Sequence, residues 1–156
     1  MDLHTSSRKA FASITEYLAW DHREIMKILA DLGSIVEDAE IERAESTFAE
    51  LRARLDRHIR IEEEALFPRF EASMGRITRG PTFPMGLEHI EILKIAEDMG
   101  QAITAGQGTL FAEERAELEG LLAKHSAWEE GAFAPRMDRL AGDQVPSLVD
   151  WLERQP

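Results

Sequence analysis

HIRIEEEALFP (58–68) and HSAWEEGAFAP (125–135) are two versions of one phrase. In each, a His stands four residues before the first of the acids, an aromatic follows, and a Pro comes ten residues after the His. The copies lie 67 residues apart, and the same offset carries His22 onto His89 and HREIMKILADLG (22–33) onto HIEILKIAEDMG (89–100). One offset aligns two pairs of segments, so the chain reads as a helical hairpin written twice.

The segments around the phrase have helical spacing. Ser13-Ile-Thr-Glu16 has the form of a capping box and predicts a helix from about Ile14. Four stripes with steps of three and four residues follow. They run Leu18, His22, Ile25, Leu29, Leu32, Val36; Phe48, Leu51, Leu55, His58, Glu62, Ala65; Met85, His89, Ile92, Ala96, Met99, Ile103; and Leu118, Leu122, His125, Glu129, Ala132. This is the inward face of helices packed as a left-handed bundle. GRITRGPTFP (75–84) and AGQGT (105–109) read as connections, with Thr109 as an N-cap, and Pro68 and Pro135 are expected to end or bend their helices. The tail from 147, SLVDWLERQP, predicts a short closing helix at about 145–154. The expected fold is all-α, an up-down four-helix bundle built from a duplicated helical hairpin. It forms a single domain over 1–156 with its core at 13–140.

Composition removes several classes of function. The formal net charge of −12 opposes binding to nucleic acid or to an anionic membrane surface. There is no Cys, which excludes disulfides, iron–sulfur clusters, thiol catalysis and Cys-based zinc sites. No signal-peptide core and no apolar run of membrane-spanning length is present, so the expectation is a soluble, cytoplasmic protein.

Four His and two Glu occupy inward positions where apolar residues belong: His22, His58, Glu62, His89, His125 and Glu129. Unpaired buried carboxylates are costly, so the six must satisfy one another. A buried hydrogen-bond network is one solution. The other is metal binding, because His and Glu at i and i+4 share a helical face and four imidazoles with two carboxylates suit divalent or trivalent ions. No inward Lys or Arg balances the carboxylates, and two ions bridged by them would. The Glu-x-x-His spacing of ferritin-like di-iron proteins is absent.

In order along the chain, DHR (21–23), HIRIEEEALFP (58–68), EHIEIL (88–93) and HSAWEEGAFAP (125–135) resemble the hemerythrin-like family, also called the HHE cation-binding domain. The resemblance implies two iron ions, oxo- or hydroxo-bridged when oxidised, for which Zn or Mn can substitute. It implies His22 and His58 on one ion, His89 and His125 on the other, and Glu62 and Glu129 as bridges. Leu93 departs from the pattern, since oxygen-carrying members have a further His there, and Glu129 stands where they tend to carry Asp. These differences favour binding of or response to O2, peroxide or nitric oxide, in sensing, redox or stress response, over oxygen transport. The alternative is iron or other metal storage or delivery, or a metal-stabilised interaction module. The inward face shows no acid or base beyond these ligands, which weighs against an enzyme. A monomer or a homodimer is expected.

Other residues draw attention for weaker reasons. His4 reads as solvent-exposed and Tyr17, Trp20 and Trp128 as core packing, with Tyr17 near enough to the site to reach it. Glu63, Glu130 and Glu88 adjoin ligand positions and read first as a solvated surface, second as acceptors behind the ligands or as alternative ligands.

Overall fold

The computed structural model describes residues 11–75 and 80–156; His4 lies outside the described residues. Ser13 starts the first helix, its hydroxyl accepting a hydrogen bond from the Glu16 N–H at 3.0 Å. Asp138, far along the chain, adds a second cap by accepting from the N–H groups of Ile14 and Thr15 and from the Thr15 hydroxyl at 2.7, 3.2 and 2.6 Å. The described helices are α1 (Ile14–Glu37), α2 (Ile41–Ile61), α3 (Phe67–Ser73), α4 (Thr82–Thr104), α5 (Gly108–Trp128), α6 (Ala134–Ala141) and α7 (Val145–Arg154). Helix α1 pairs with α2 and α4 with α5, while α2 lies beside α4 and α1 beside α5. Short connections make the paired helices antiparallel, so the architecture is the expected up-down bundle, with no strand among the described residues.

Helix α2 ends inside the phrase that opened the analysis, but the helical path continues. A π-helical turn, Glu62–Leu66, leads directly into α3, and a second, Glu129–Phe133, joins α5 to α6. Neither Pro68 nor Pro135 ends its helix, because each follows a widened turn that makes room for the ring against the preceding carbonyls. The widening also shifts the inward face by one residue. Leu66 and Phe133 are buried, whereas Ala65, placed on the inward stripe, is half-buried and Ala132 is exposed.

Two apolar clusters fill the bundle. One includes Ile25, Leu29, Leu55, Ile92, Met99 and Leu122, and the other Leu18, Leu66, Phe67, Phe133, Leu148 and Leu152. The six polar residues of the sequence stripes lie between them. Helix α7, where the tail pattern placed it, buries Leu148, Val149 and Leu152 and leaves Trp151 43% exposed. Arg57 holds it by donating to the carbonyls of Leu152 and Gln155 at 2.8 and 3.0 Å.

The two hairpin turns differ in one instructive way. Helix α4 closes with Gly106 at φ +68°, where Gly106 N–H donates to Ile103 and Gln107 N–H to Ala102, and α5 begins at once. Thr109 is therefore inside the first turn of α5, and Gln107 takes the cap position without a side-chain bond. The matching turn after α1 repeats these bonds with Ala39 at φ 57°, so an L-residue occupies the left-handed conformation. That costs roughly 1–2 kcal/mol, partly offset by the lower unfolded-chain entropy of Ala. Ala39→Gly should accordingly stabilise the protein by about 0.5–1 kcal/mol in urea denaturation; a destabilised variant would contradict this account of the turn.

Candidate metal centre

Each hairpin delivers its polar residues to the same level. Helix α1 supplies Asp21 and His22, the end of α2 supplies His58, and the first π turn supplies Glu62 and Glu63. The second hairpin supplies Glu88 and His89 from α4, His125 from α5, and Glu129 and Glu130 from the second π turn. His22, His58, His89 and His125 are buried, and neither Glu62 nor Glu129 has any exposed surface.

Their atoms converge in two groups. In one, ligand atoms of His22, His58, Glu62 and Glu129 all lie within 4.8 Å of one another; in the other, those of Glu62, His89, His125 and Glu129 do the same. The two carboxylates are common to both and divide their oxygens between them. Glu62 Oε1 faces His58 Nε2 at 3.1 Å, while Oε2 faces His89 Nε2 at 2.9 Å and His125 Nε2 at 3.7 Å. Glu129 Oε2 faces His22 Nε2 at 3.5 Å and Oε1 contacts His125 Nε2. All six residues singled out in the sequence are thus brought together.

Behind each imidazole stands another carboxylate. Asp21 meets His58 Nδ1, Glu88 meets His125 Nδ1 and Glu63 meets His89 Nδ1, each at 2.8 Å, and Glu130 approaches His22 Nδ1 at 3.4 Å. Glu88, only 14% exposed, thus belongs with the acceptors behind the ligands, whereas Glu63 and Glu130 keep exposed surface and approach their rings from the solvent side. Acids at this level are consequently not limited to Glu62 and Glu129. Asp21 was missed, although DHR at 21–23 and EHI at 88–90 place an acid before each His at the same repeat offset. Tyr17 turns its buried hydroxyl to Arg57, from which it accepts at 2.7 Å, while remaining close enough to Asp21 and His58 to feel their charges.

The protein alone satisfies this layer poorly. Both ring nitrogens of His22, Oε1 of Glu62 and both oxygens of Glu129 are buried without a hydrogen bond of acceptable geometry. His89 Nε2 and His125 Nε2 stand 3.2 Å apart, which leaves two ring nitrogens directed at one point. Two nitrogens bound to a common ion at about 2.1 Å would be separated by roughly 3.0–3.4 Å for angles between octahedral and tetrahedral. Orphaned atoms, paired nitrogens and divided carboxylates fit a pair of cations better than a closed hydrogen-bond network.

Without metal, protons take that role. Burial opposes a charge on His58, but Glu62 and Asp21 outweigh it and hold its pKa well above the ordinary value. Burial likewise works against His125 protonation, yet Glu129 and Glu62 raise it to about 10. Glu62 moves the other way: burial would raise it, and His58 with the other hydrogen-bond partners brings it well below the usual carboxylate range.

Next to the imidazoles is a cavity of about 10 Å³, bounded by all four His together with Ile25, Met26, Leu55, Ile59, Ile92, Leu122 and Ser126. That is close to the volume needed by one water-sized molecule. Leu66 belongs to the cluster on the other side of the polar layer. Leu93 packs against the first cluster and takes no part in the wall, while Met26, its counterpart in the first hairpin, does.

The family model for the hemerythrin HHE cation binding domain matches residues 13–151. No curated protein and no solved structure matches the chain.

The raised His values and the depressed Glu value fix how metal-free stability varies with pH. Stability from His58 and His125 is full below their ordinary 6.5 and is lost as pH rises, for His125 through about 10. Stability from Glu62 is present above its ordinary 4.5 and is lost as pH falls toward its lower folded value. Metal-free protein should therefore be more stable in urea at about pH 6 than at about pH 9, and excess Zn2+ should reverse the order, because coordination requires deprotonated imidazoles. Equal midpoints at the two pH values without metal would contradict the assigned ion pairs.

Proposed function

The chain belongs to the hemerythrin HHE cation-binding family, and from that premise we propose that it is a non-haem di-iron protein that responds to O2, peroxide or nitric oxide. His22 and His58 would hold one iron, His89 and His125 the other, and Glu62 and Glu129 would bridge them. The observation that carries this reading is the division of each buried carboxylate between two groups of imidazoles.

When bound, two irons would supply redox-active Lewis-acid positions for a diatomic gas or a peroxide. The chain's own groups do the rest. Asp21, Glu63 and Glu88 hold the rings of His58, His89 and His125 and strengthen them as donors, while Glu130 stands further from His22. Ile25, Leu55, Ile92 and Leu122 give the adjacent cavity an apolar side, and its volume of about 10 Å³ suits a ligand of only a few atoms better than a bulky substrate. Storage of metal would need more ligands and more space than six side chains and this cavity provide. Leu93 supports response over transport, because it offers no donor atom at the position where oxygen-carrying members have a further His. We also read residues 1–156 as one domain in a cytoplasmic setting, as a monomer or homodimer. No helix among the described residues is long and apolar enough to cross a membrane.

Metal analysis should find two irons per chain after anaerobic loading. Glu62→Ala and Glu129→Ala should each remove both ions, since each carboxylate serves both positions, whereas His22→Ala should mainly affect the ion shared with His58. Saturation at one ion, or a Glu129→Ala protein that keeps one site intact, would overturn the bridging assignment. In stopped-flow absorbance, reduced protein mixed with oxygen should oxidise within minutes; reversible uptake and release would return the protein to oxygen carriage.

A further inference from the structure

The six inward residues and the acids behind them obey the two-fold repeat, but the contacts made by those acids do not. Asp21 and Glu88 are related by the repeat, as are His58 and His125, and both pairs meet at 2.8 Å. On the first side Arg54 closes on the acid: its Nε donates to Asp21 Oδ1 at 3.0 Å and its Nη2 lies 2.9 Å from the same oxygen. The guanidinium also stacks 4.7 Å over Trp20. At the positions the repeat relates to Arg54 and Trp20, the second hairpin has Leu121 and Leu87. Among the described residues, the cation beside Glu88 is Lys124, which lies 3.6 Å away on a side chain 78% exposed and is therefore screened by water.

The other pair of supporting acids is unequal in the same sense. Glu63 holds His89 at 2.8 Å, whereas Glu130 stands 3.4 Å from His22. His22 is also the imidazole farther from its bridging carboxylate, 3.5 Å from Glu129. One position thus has two closely held imidazoles backed by two carboxylates. The other has one loosely held imidazole, and its second is backed by an acid whose charge Arg54 largely neutralises.

We propose that Arg54 makes the two metal positions unequal, weakening the His22–His58 position so that an ion enters at His89 and His125 first. This rests on the reading of the six residues as metal ligands. Two physical effects act in the same direction. A carboxylate shared with a guanidinium withdraws less of the imidazole N–H, so His58 is the poorer donor. The guanidinium charge also repels a cation on its own side more than on the far side. Changes among such supporting partners alter metal affinity by about 10- to 100-fold, enough to separate two otherwise identical ligand sets. Arg54 touches no metal ligand in this scheme; it is a positioning residue acting through Asp21.

Calorimetric titration of metal-free protein with Zn2+ should show two steps whose affinities differ by at least about ten-fold. In NMR spectra of protein labelled with 15N-histidine, the first equivalent should shift the ring resonances of His89 and His125 and the second those of His22 and His58. Arg54→Leu, which installs the residue that the other hairpin carries, should bring the two steps to within about three-fold of each other. Leu121→Arg, which places a guanidinium in the corresponding setting of the second hairpin, should also bring the steps together and serves if Arg54→Leu does not fold. A single step in the unmodified protein, first occupancy at His22 and His58, or unchanged spacing in the variants would overturn the proposal while leaving two bound ions intact. Absence of any Zn2+ uptake would instead remove the metal reading itself, and this inference with it.

Discussion

Glu62 and Glu129 hold two carboxylates at a depth where neither has exposed surface, between two clusters of aliphatic and aromatic side chains. A charge placed there without compensation costs several kcal/mol, so everything at that level of the bundle is arranged around the debt. Each helix contributes an imidazole facing the carboxylates, and each imidazole is in turn faced by an acid nearer the surface. The order from centre outward is acid, imidazole, acid. Such an array is balanced only if positive charge resides on or between the imidazoles, and either protons or metal ions can provide it. The same constraint explains the flanking apolar clusters, which deny water to the layer and make the choice of cation consequential.

The fold supplies the convergence through repetition. Because two similar hairpins pack around a common axis, a single His-x-x-x-Glu phrase on each is sufficient to put two carboxylates opposite one another. The π turns contribute by beginning at the carboxylates themselves, which lets Glu62 face the centre while the next residue, Glu63, reaches His89 of the other hairpin. Glu130 approaches His22 in the same crossed manner. Asp21 and Glu88, by contrast, support the imidazole of their own hairpin. The two hairpins are therefore tied by half of the supporting contacts and individually stiffened by the other half.

The bundle, the closing helix and the six inward residues were legible in the sequence because they depend on periodicity, and a repeat doubles every periodic signal. What was not legible depended on departures from α-helical period or on contacts remote in the chain. Ala132 was placed inward by counting threes and fours, and a π turn invalidates the count beyond Glu129. Thr109 looked like a cap by residue type, but the bonds of the Gly106 turn start α5 before it. Asp138 capping α1 and Arg57 fastening α7 connect residues about a hundred positions apart, for which no local pattern exists. Asp21 is a different kind of omission. Its place before His22 and the match to Glu88 were visible, yet an acid beside an inward residue ordinarily faces solvent, and only the path of α2 shows that this one does not.

The π turns also carry information about descent. Both span five residues, both begin at the bridging Glu, and both precede a Pro at the same interval. A widened turn is an irregularity, and two at matching points are most simply read as one irregularity copied. On that reading the hairpin already possessed its distorted helix, its two imidazoles and its carboxylate before the chain doubled. Each hairpin carries two imidazoles, one carboxylate and one widened turn, so the set of six side chains is complete only where two hairpins meet. The two halves need not be identical within one chain, and Arg54, Trp20 and Ala39, opposite Leu121, Leu87 and Gly106, are places where they differ.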